Sequence, residues 1–148
     1  NMEVLDPEHS GINLFDNNWK IYSRNSGMTG HKISASADVH DSMITDGCRI
    51  KGTVKHSVLF AGVKVAEGAV VEDAVVMGGP SIERGAVVRH CIIAENVTIK
   101  ENAVVGAMPE GDEHGVATVG SGITIGEGAV IGPKAMVRNN VEGGEEQW

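Results

Sequence analysis

The chain has 148 residues, 41% of them hydrophobic but only 3% aromatic, with 20 glycines and a formal net charge of −8. That length fits one domain of ordinary size, the core has to be built from Val, Ile and Ala, and the acidic balance leaves no basic stripe for nucleic acid. No apolar run reaches the ~18 residues of a membrane span, no signal-peptide pattern opens the chain, and two cysteines make neither a disulfide framework nor a zinc site; a cytoplasmic protein without membrane or nucleic-acid partners is expected.

Residues 1–32 lack any hydrophobic period and hold Phe15, Trp19 and Tyr22, three of the five aromatics. Asp6-Pro7 and Ser10-Gly11 are turn signals. An aromatic cluster ahead of a repeat can cap its open end or join it to something upstream, and this segment reads as such a linker.

From Ile33 a regular march begins. Ile33, Val39, Ile44, Ile50, Val54, Leu59, Val65, Val71, Val76, Ile82, Val88, Ile93, Ile99 and Val105 follow one another, and Val119, Ile125, Ile131 and Val137 resume it. The central steps run six, six, five, so Val54, Val71, Val88 and Val105 lie 17 apart. A helix needs apolar spacings of three and four, and a half-buried strand needs two; six is neither. Two residues before the aliphatic position stand Ala37, Ser42, Cys48, Ser57, Ala69, Ala74, Ala86, Cys91, Ala103, Ala117, Ala129 and Ala135, nearly all small. Alternation puts both positions on the inward side of a short strand. Three such strands per turn make a triangular coil, and stacked coils make a parallel β-helix. The fold class is therefore all-β, a single-stranded parallel β-helix over residues 33–141. Cys48 and Cys91 read as small core residues.

Residues 106–117, "GAMPEGDEHGVA", break the period and read as a loop thrown out of one corner. Residues 142–148, "EGGEEQW", read as a disordered tail in which Trp148 is able to dock.

The residue before each core aliphatic points outward. One face then shows Val70, Val87 and Val104; a second shows Met43, Val58, Val75 and Ile92, with Phe60 beside it; the third shows Arg49, Lys64, Ser81 and Thr98. Strand propensity alone favours β-branched residues, but stacked exposed aliphatics mark interfaces, so the eight apolar residues are interface candidates. No phosphate-cradling loop, dinucleotide fingerprint or metal-spaced cluster is present, so no catalytic or metal-binding residue is expected in the chain. Among six histidines, His114 in the loop and His40, His56 and His90 in the coils are the conceivable general bases, which would need a carboxylate to orient them; Glu113 neighbours His114.

The N-terminal piece is more specific. "NMEVLDP", "NLFDNNWKIYSRN" and "SMITDGCRIKGTVKHSVLFAGVKVAEGAVVEDAVVM" closely resemble the C-terminal region of bacterial ADP-glucose pyrophosphorylases, the glucose-1-phosphate adenylyltransferases. The resemblance covers residues 1 to about 105; "TVGSGITIGEGAVIGPKAMV" matches more generically. It implies a left-handed coil, although parallel crossovers are ordinarily right-handed. It further implies a linker leaving a missing N-terminal nucleotidyltransferase domain, which would carry every catalytic motif and use Mg²⁺ with ATP; the present chain would be inactive and without cofactor. The implied role is oligomerisation and allosteric regulation, with the catalytic domain of its own chain and neighbours in a homotetramer as partners. The family's effectors are phosphorylated sugars or acids held by Arg and Lys, for which Arg24, Arg49, Lys51, Lys55 and His56 are the local supply. Members activated by fructose 1,6-bisphosphate carry arginines in the loop before the last coil; here it has Glu110, Asp112 and Glu113 and no Arg or Lys, so little activation is expected. A noncatalytic regulatory paralogue of the enzyme fits these residues equally well. A hexapeptide acyltransferase, whose catalytic His would lie between subunits, and another sugar-nucleotide pyrophosphorylase fit less well because of the linker.

Overall fold

The computed structural model describes residues 2–22, 25–111 and 115–148. Arg24, Asp112, Glu113 and His114 lie outside the described residues.

Short parallel strands form three sheets of six, seven and six strands, and each strand pairs with its counterparts one coil before and after. Face A carries Lys32–Ile33, Arg49–Ile50, Lys64–Val65, Ser81–Ile82, Thr98–Ile99 and Thr124–Ile125. Face B carries Asp38–His40, Thr53–Lys55, Val70–Glu72, Val87–Arg89, Val104–Val105, Val130–Ile131 and Glu146–Gln147. Face C carries Met43–Ile44, Val58–Leu59, Val75–Val76, Cys91–Ile93, Ala117–Val119 and Met136–Val137. This is the left-handed parallel β-helix of the hexapeptide type. Among the described residues no helix is long and apolar enough to cross a membrane.

The core is one continuous column of aliphatics along the axis. Ile50, Val65, Ile82, Ile99 and Ile125 stack in register on face A, with Val54, Val71, Val88 and Val105 on face B and Leu59, Val76, Ile93 and Val119 on face C, all essentially fully buried. The small inward position holds on faces B and C, but on face A it is filled by Val63, Pro80, Val97 and Ile123, all buried. Alanines on two sides of the triangle leave room that larger residues on the third side fill, which keeps interior density uniform. Cys48 and Cys91 are buried free thiols, and burial pushes both thiols above their ordinary pKa.

The corners differ in chemistry. The corner from face C to face A turns through left-handed Gly47, Gly62, Gly79 and Asn96, whereas the corner from face B to face C turns through Asp41, His56, Asp73 and His90, with φ between 41° and 52°. Asp, Asn and His are the non-glycine residues that tolerate this region best. A ladder of αL backbone is held there by His56 N–H to His40 C=O (3.1 Å), Asp73 N–H to Lys55 C=O (3.0 Å) and His90 N–H to Glu72 C=O (3.1 Å).

Two expectations require correction. Residues 142–148 are ordered: Glu146–Gln147 adds a seventh strand to face B, and Trp148 lies against Gly132. Gly143-Gly144 supplies a turn, and the edge of Val130–Ile131 offers main-chain partners regardless of the acidic side chains: Val130 N–H bonds Glu145 C=O at 2.8 Å. Of the two roles left open for the linker aromatics, capping the first coil is not the one seen, because Phe15, Trp19 and Tyr22 all stand exposed. The corner loop ends at Val116, since Ala117 already belongs to a face C strand and is buried.

Candidate functional site

The face B to face C corner gathers the most chemistry. Because successive coils are 17 residues apart here, His56, Asp73 and His90 stand one above another. Asp73 Oδ1 lies 2.9 Å from His56 Nδ1 and its Oδ2 lies 2.5 Å from His90 Nδ1. An ionised carboxylate can only accept, so both imidazoles donate from Nδ1. Burial by itself would raise the Asp73 carboxyl, but the hydrogen bonds from His90 and then His56, with their charge, outweigh it and hold the carboxyl below its ordinary 3.8. His40 is oriented similarly by Asp38, 2.6 Å from its Nε2, on a more exposed rung.

A lowered folded-state pKa stabilises the fold at pH values above the ordinary one, and the contribution is lost as pH falls through the lowered value. Asp73→Asn keeps a residue that accepts the αL backbone but removes the charge. Thermal unfolding near neutrality should place the variant below the wild type by about 1–2 kcal/mol. The gap should narrow once the pH drops below the ordinary 3.8; a gap that is independent of pH would assign the effect to shape instead.

Beside this corner is a cleft of about 470 Å³ lined by Met2, Glu3, Asp73, Val75, His90, Ile92 and Val116. The N-terminal turn Met2–Leu5 therefore borders the cleft opposite face C residues Val75 and Ile92. Its short following helix, Pro7–Ser10, is capped by Asp6. Among the interface candidates, Val58 and Val75 are only 6% and 5% exposed, so face C does not offer the open apolar ladder expected of it. Met43 is half-buried, and Ile92 and Phe60 remain exposed. On face B, Val70, Val87 and Val104 form an unbroken outward row, half-buried by their own neighbours.

The residues expected to gather positive charge divide between two places. Arg49 and Lys51 line a cleft of about 380 Å³ on face A together with Lys64, Ala66, Ser81, Glu83, Arg84 and Glu101. Lys55 and His56 do not belong to it. Lys55 pairs with Asp38 at 3.8 Å on face B, and His56 is held by Asp73. Lys64 was already visible in the sequence as the outward neighbour of Arg49, whereas Arg84, at a turn, had no period to reveal it. Among the described residues, no group of three or more His, Cys, Asp or Glu side chains is arranged to hold a metal ion.

Comparison with known proteins agrees with this architecture. The family model described as GlmU-like, C-terminal hexapeptide, matches residues 27–126. A glucose-1-phosphate adenylyltransferase of Geobacillus stearothermophilus is 47% identical over 72 residues, which cover 49% of this chain and 18% of that protein. Enzymes of the same name from Bacillus mycoides (strain KBAB4) and Bacillus cereus (strain ATCC 10987 / NRS 248) are each 50% identical over 74 residues, 50% of this chain and 19% of theirs. The matched stretch thus spans less than a fifth of these relatives, and the resemblance read from the linker and coil residues is borne out. The chain belongs to the GlmU-like C-terminal hexapeptide family.

Proposed function

We propose that this chain is the oligomerisation and allosteric-regulatory domain of a cytoplasmic glucose-1-phosphate adenylyltransferase, which makes ADP-glucose and pyrophosphate from ATP and glucose 1-phosphate for glycogen synthesis. The observation that carries the reading is the 47–50% identity to enzymes of that name. Two features of the solenoid support it. The outward valine row of face B offers a flat surface for a neighbour in a homotetramer, and the exposed Phe15, Trp19 and Tyr22 have the character of a linker made to pack on an upstream domain. The active site, with Mg²⁺ and ATP, would lie in that upstream domain.

The test uses the intact reading frame with its upstream segment restored. Pyrophosphate release that requires both ATP and glucose 1-phosphate is expected, with little added activation by fructose 1,6-bisphosphate because the corner loop is acidic. No release from a well-folded protein would overturn the catalytic assignment in favour of a regulatory paralogue.

A second reading has one observation in its favour. An acyltransferase of this fold needs an oriented imidazole, and Asp73 orients both His56 and His90. Under the adenylyltransferase reading, His90→Ala leaves pyrophosphate release within about twofold of wild type and the protein transfers no acyl group from a thioester donor.

A further inference from the structure

The linker is fastened to the first coil before the first strand, Lys32–Ile33, begins. Among the described residues, the hydrogen bonds made by residues 11–28 reach no more than three positions along the chain. At Thr29 this changes: its C=O accepts the Gly47 N–H at 2.7 Å. Gly62 N–H to Asp46 C=O (3.0 Å) and Gly79 N–H to Ala61 C=O (2.9 Å) repeat that bond one and two coils on. Thr29 thus starts the main-chain ladder of the face C to face A corner.

The side chain that seats this joint belongs to Met28. Gly47 and Gly62 are left-handed, with φ of 74° and 77°, and the corner they form is a groove of bare main chain. Met28 fills it. Its sulfur lies 2.5 Å from the place a Cβ on Gly47 would take and 3.2 Å from the place a Cβ on Gly62 would take, so one thioether spans two coils. At Gly79 the side-chain oxygen of Asn96 holds the equivalent place. The solenoid fills its own groove there and borrows from the linker at the first two coils.

Met28 is nevertheless 49% exposed, which opens its sulfur to a small oxidant. An unbranched thioether fits such a groove by shape and low polarity, and one added oxygen makes it polar and chiral. The N–H groups of Gly47 and Gly62 are already given to Thr29 and Asp46. A sulfoxide oxygen finds no donor in those two glycines, and a polar group kept from water without a partner is costly; turning out to water lifts the side chain from its seat. Two other exposed methionines form no such joint: the sulfur of Met136 faces the Arg138 guanidinium at 3.2 Å, and Met108 sits in the corner loop.

We propose that Met28 is a reversible oxidation site whose thioether fastens the linker to the solenoid and whose sulfoxide releases it, with hydrogen peroxide as the oxidant. A sulfur lone pair attacks one peroxide oxygen, the O–O bond breaks and an S–O bond forms. Sulfur is oxidised by two electrons, and the second oxygen leaves as water with both peroxide protons. The inference goes beyond the adenylyltransferase reading and does not rest on it, because every readout is taken on this chain itself.

The experiment treats the full chain with hydrogen peroxide, follows sulfoxide formation at each methionine by peptide mass spectrometry, and reads hydrogen exchange of the Gly47 amide by NMR on the same samples. Met28 is expected to oxidise at least as fast as Met108. The Gly47 amide should then exchange at least about tenfold faster, as local opening of its bond to Thr29 requires. Repair by methionine sulfoxide reductases that cover both epimers should restore the original rate. In Met28→Leu, which keeps an apolar side chain in the groove, peroxide should leave Gly47 exchange unchanged while the remaining methionines oxidise. Unaltered Gly47 exchange once Met28 is the sulfoxide, the same acceleration in peroxide-treated Met28→Leu, or a Met28 that stays reduced while Met108 is consumed overturns the proposal and leaves the enzyme assignment standing.

Discussion

Replacing Ile99 by Ala is expected to lower the stability of the solenoid by about 2–5 kcal/mol, the range for truncating a fully enclosed aliphatic. Ile99 is completely buried and sits between Ile82 and Ile125 in the face A column. The form of the loss matters as much as its size. In a stacked array each coil touches only its neighbours, so stability is close to a sum of coil terms and interface terms. A gap at Ile99 cuts the column in its middle, and urea unfolding should lose cooperativity, with the coils on the C-terminal side released first. The same truncation at Ile131, one coil from the end, should fray only the last strands, Glu146–Gln147 among them. Amide exchange resolved by coil measures the difference. Uniform loss of protection along the whole chain in both variants would contradict the nearest-neighbour picture.

Gly106→Ala carries the second large effect. Gly106 has φ +73°, and a Cβ there would run into the carbonyl oxygen of Arg89 in the coil below. Its N–H also donates to Ile131 C=O at 2.9 Å, which ties the loop's point of departure to the coil above. The left-handed penalty of ~1–2 kcal/mol and a strained or lost main-chain bond of ~1 kcal/mol together predict about 2–3 kcal/mol. Gly111, in the same loop, supplies the control: φ +64° but nothing within 4 Å of an added Cβ. Gly111→Ala should therefore show the conformational penalty alone, about 1 kcal/mol. Equal melting temperatures for the two variants would remove the Arg89 contact from the explanation.

The parts of this fold legible in the sequence are those that repeat. Val54, Val71, Val88 and Val105 announce a coil of 17 residues because the same inward site recurs in every turn, and the outward residues then sort themselves into faces. The parts that were not legible involve a contact between something that repeats and something that does not. Val75 is buried although its position in the repeat is outward, and Met2 and Glu3 stand across a cleft from it; no period in residues 1–32 reports this. The tail was misread because three glutamates and a pair of glycines resemble a solvated end, whereas strand pairing is made by the main chain and is indifferent to them. The histidine corner lies between these cases. The spacing of 17 between His56, Asp73 and His90 was present in the sequence, but their meeting depends on all three adopting a left-handed backbone, which composition does not disclose. The cationic cleft was half visible. Arg49 and Lys64 share a register position, while Arg84 enters from a turn and Lys55, close in sequence, faces another side of the triangle.

The corner loop has a consequence for how such a domain changes over evolutionary time. The chain leaves the wall after Val105 and re-enters at Ala117 in register with Cys91, so the strands on either side pair as though nothing intervened. Length at that point is uncoupled from the stability of the stack. A lineage that keeps Gly106 can lengthen or shorten the residues after it without relearning how to fold, and the same seam is where a laboratory can splice in an epitope, a reporter or a binding peptide.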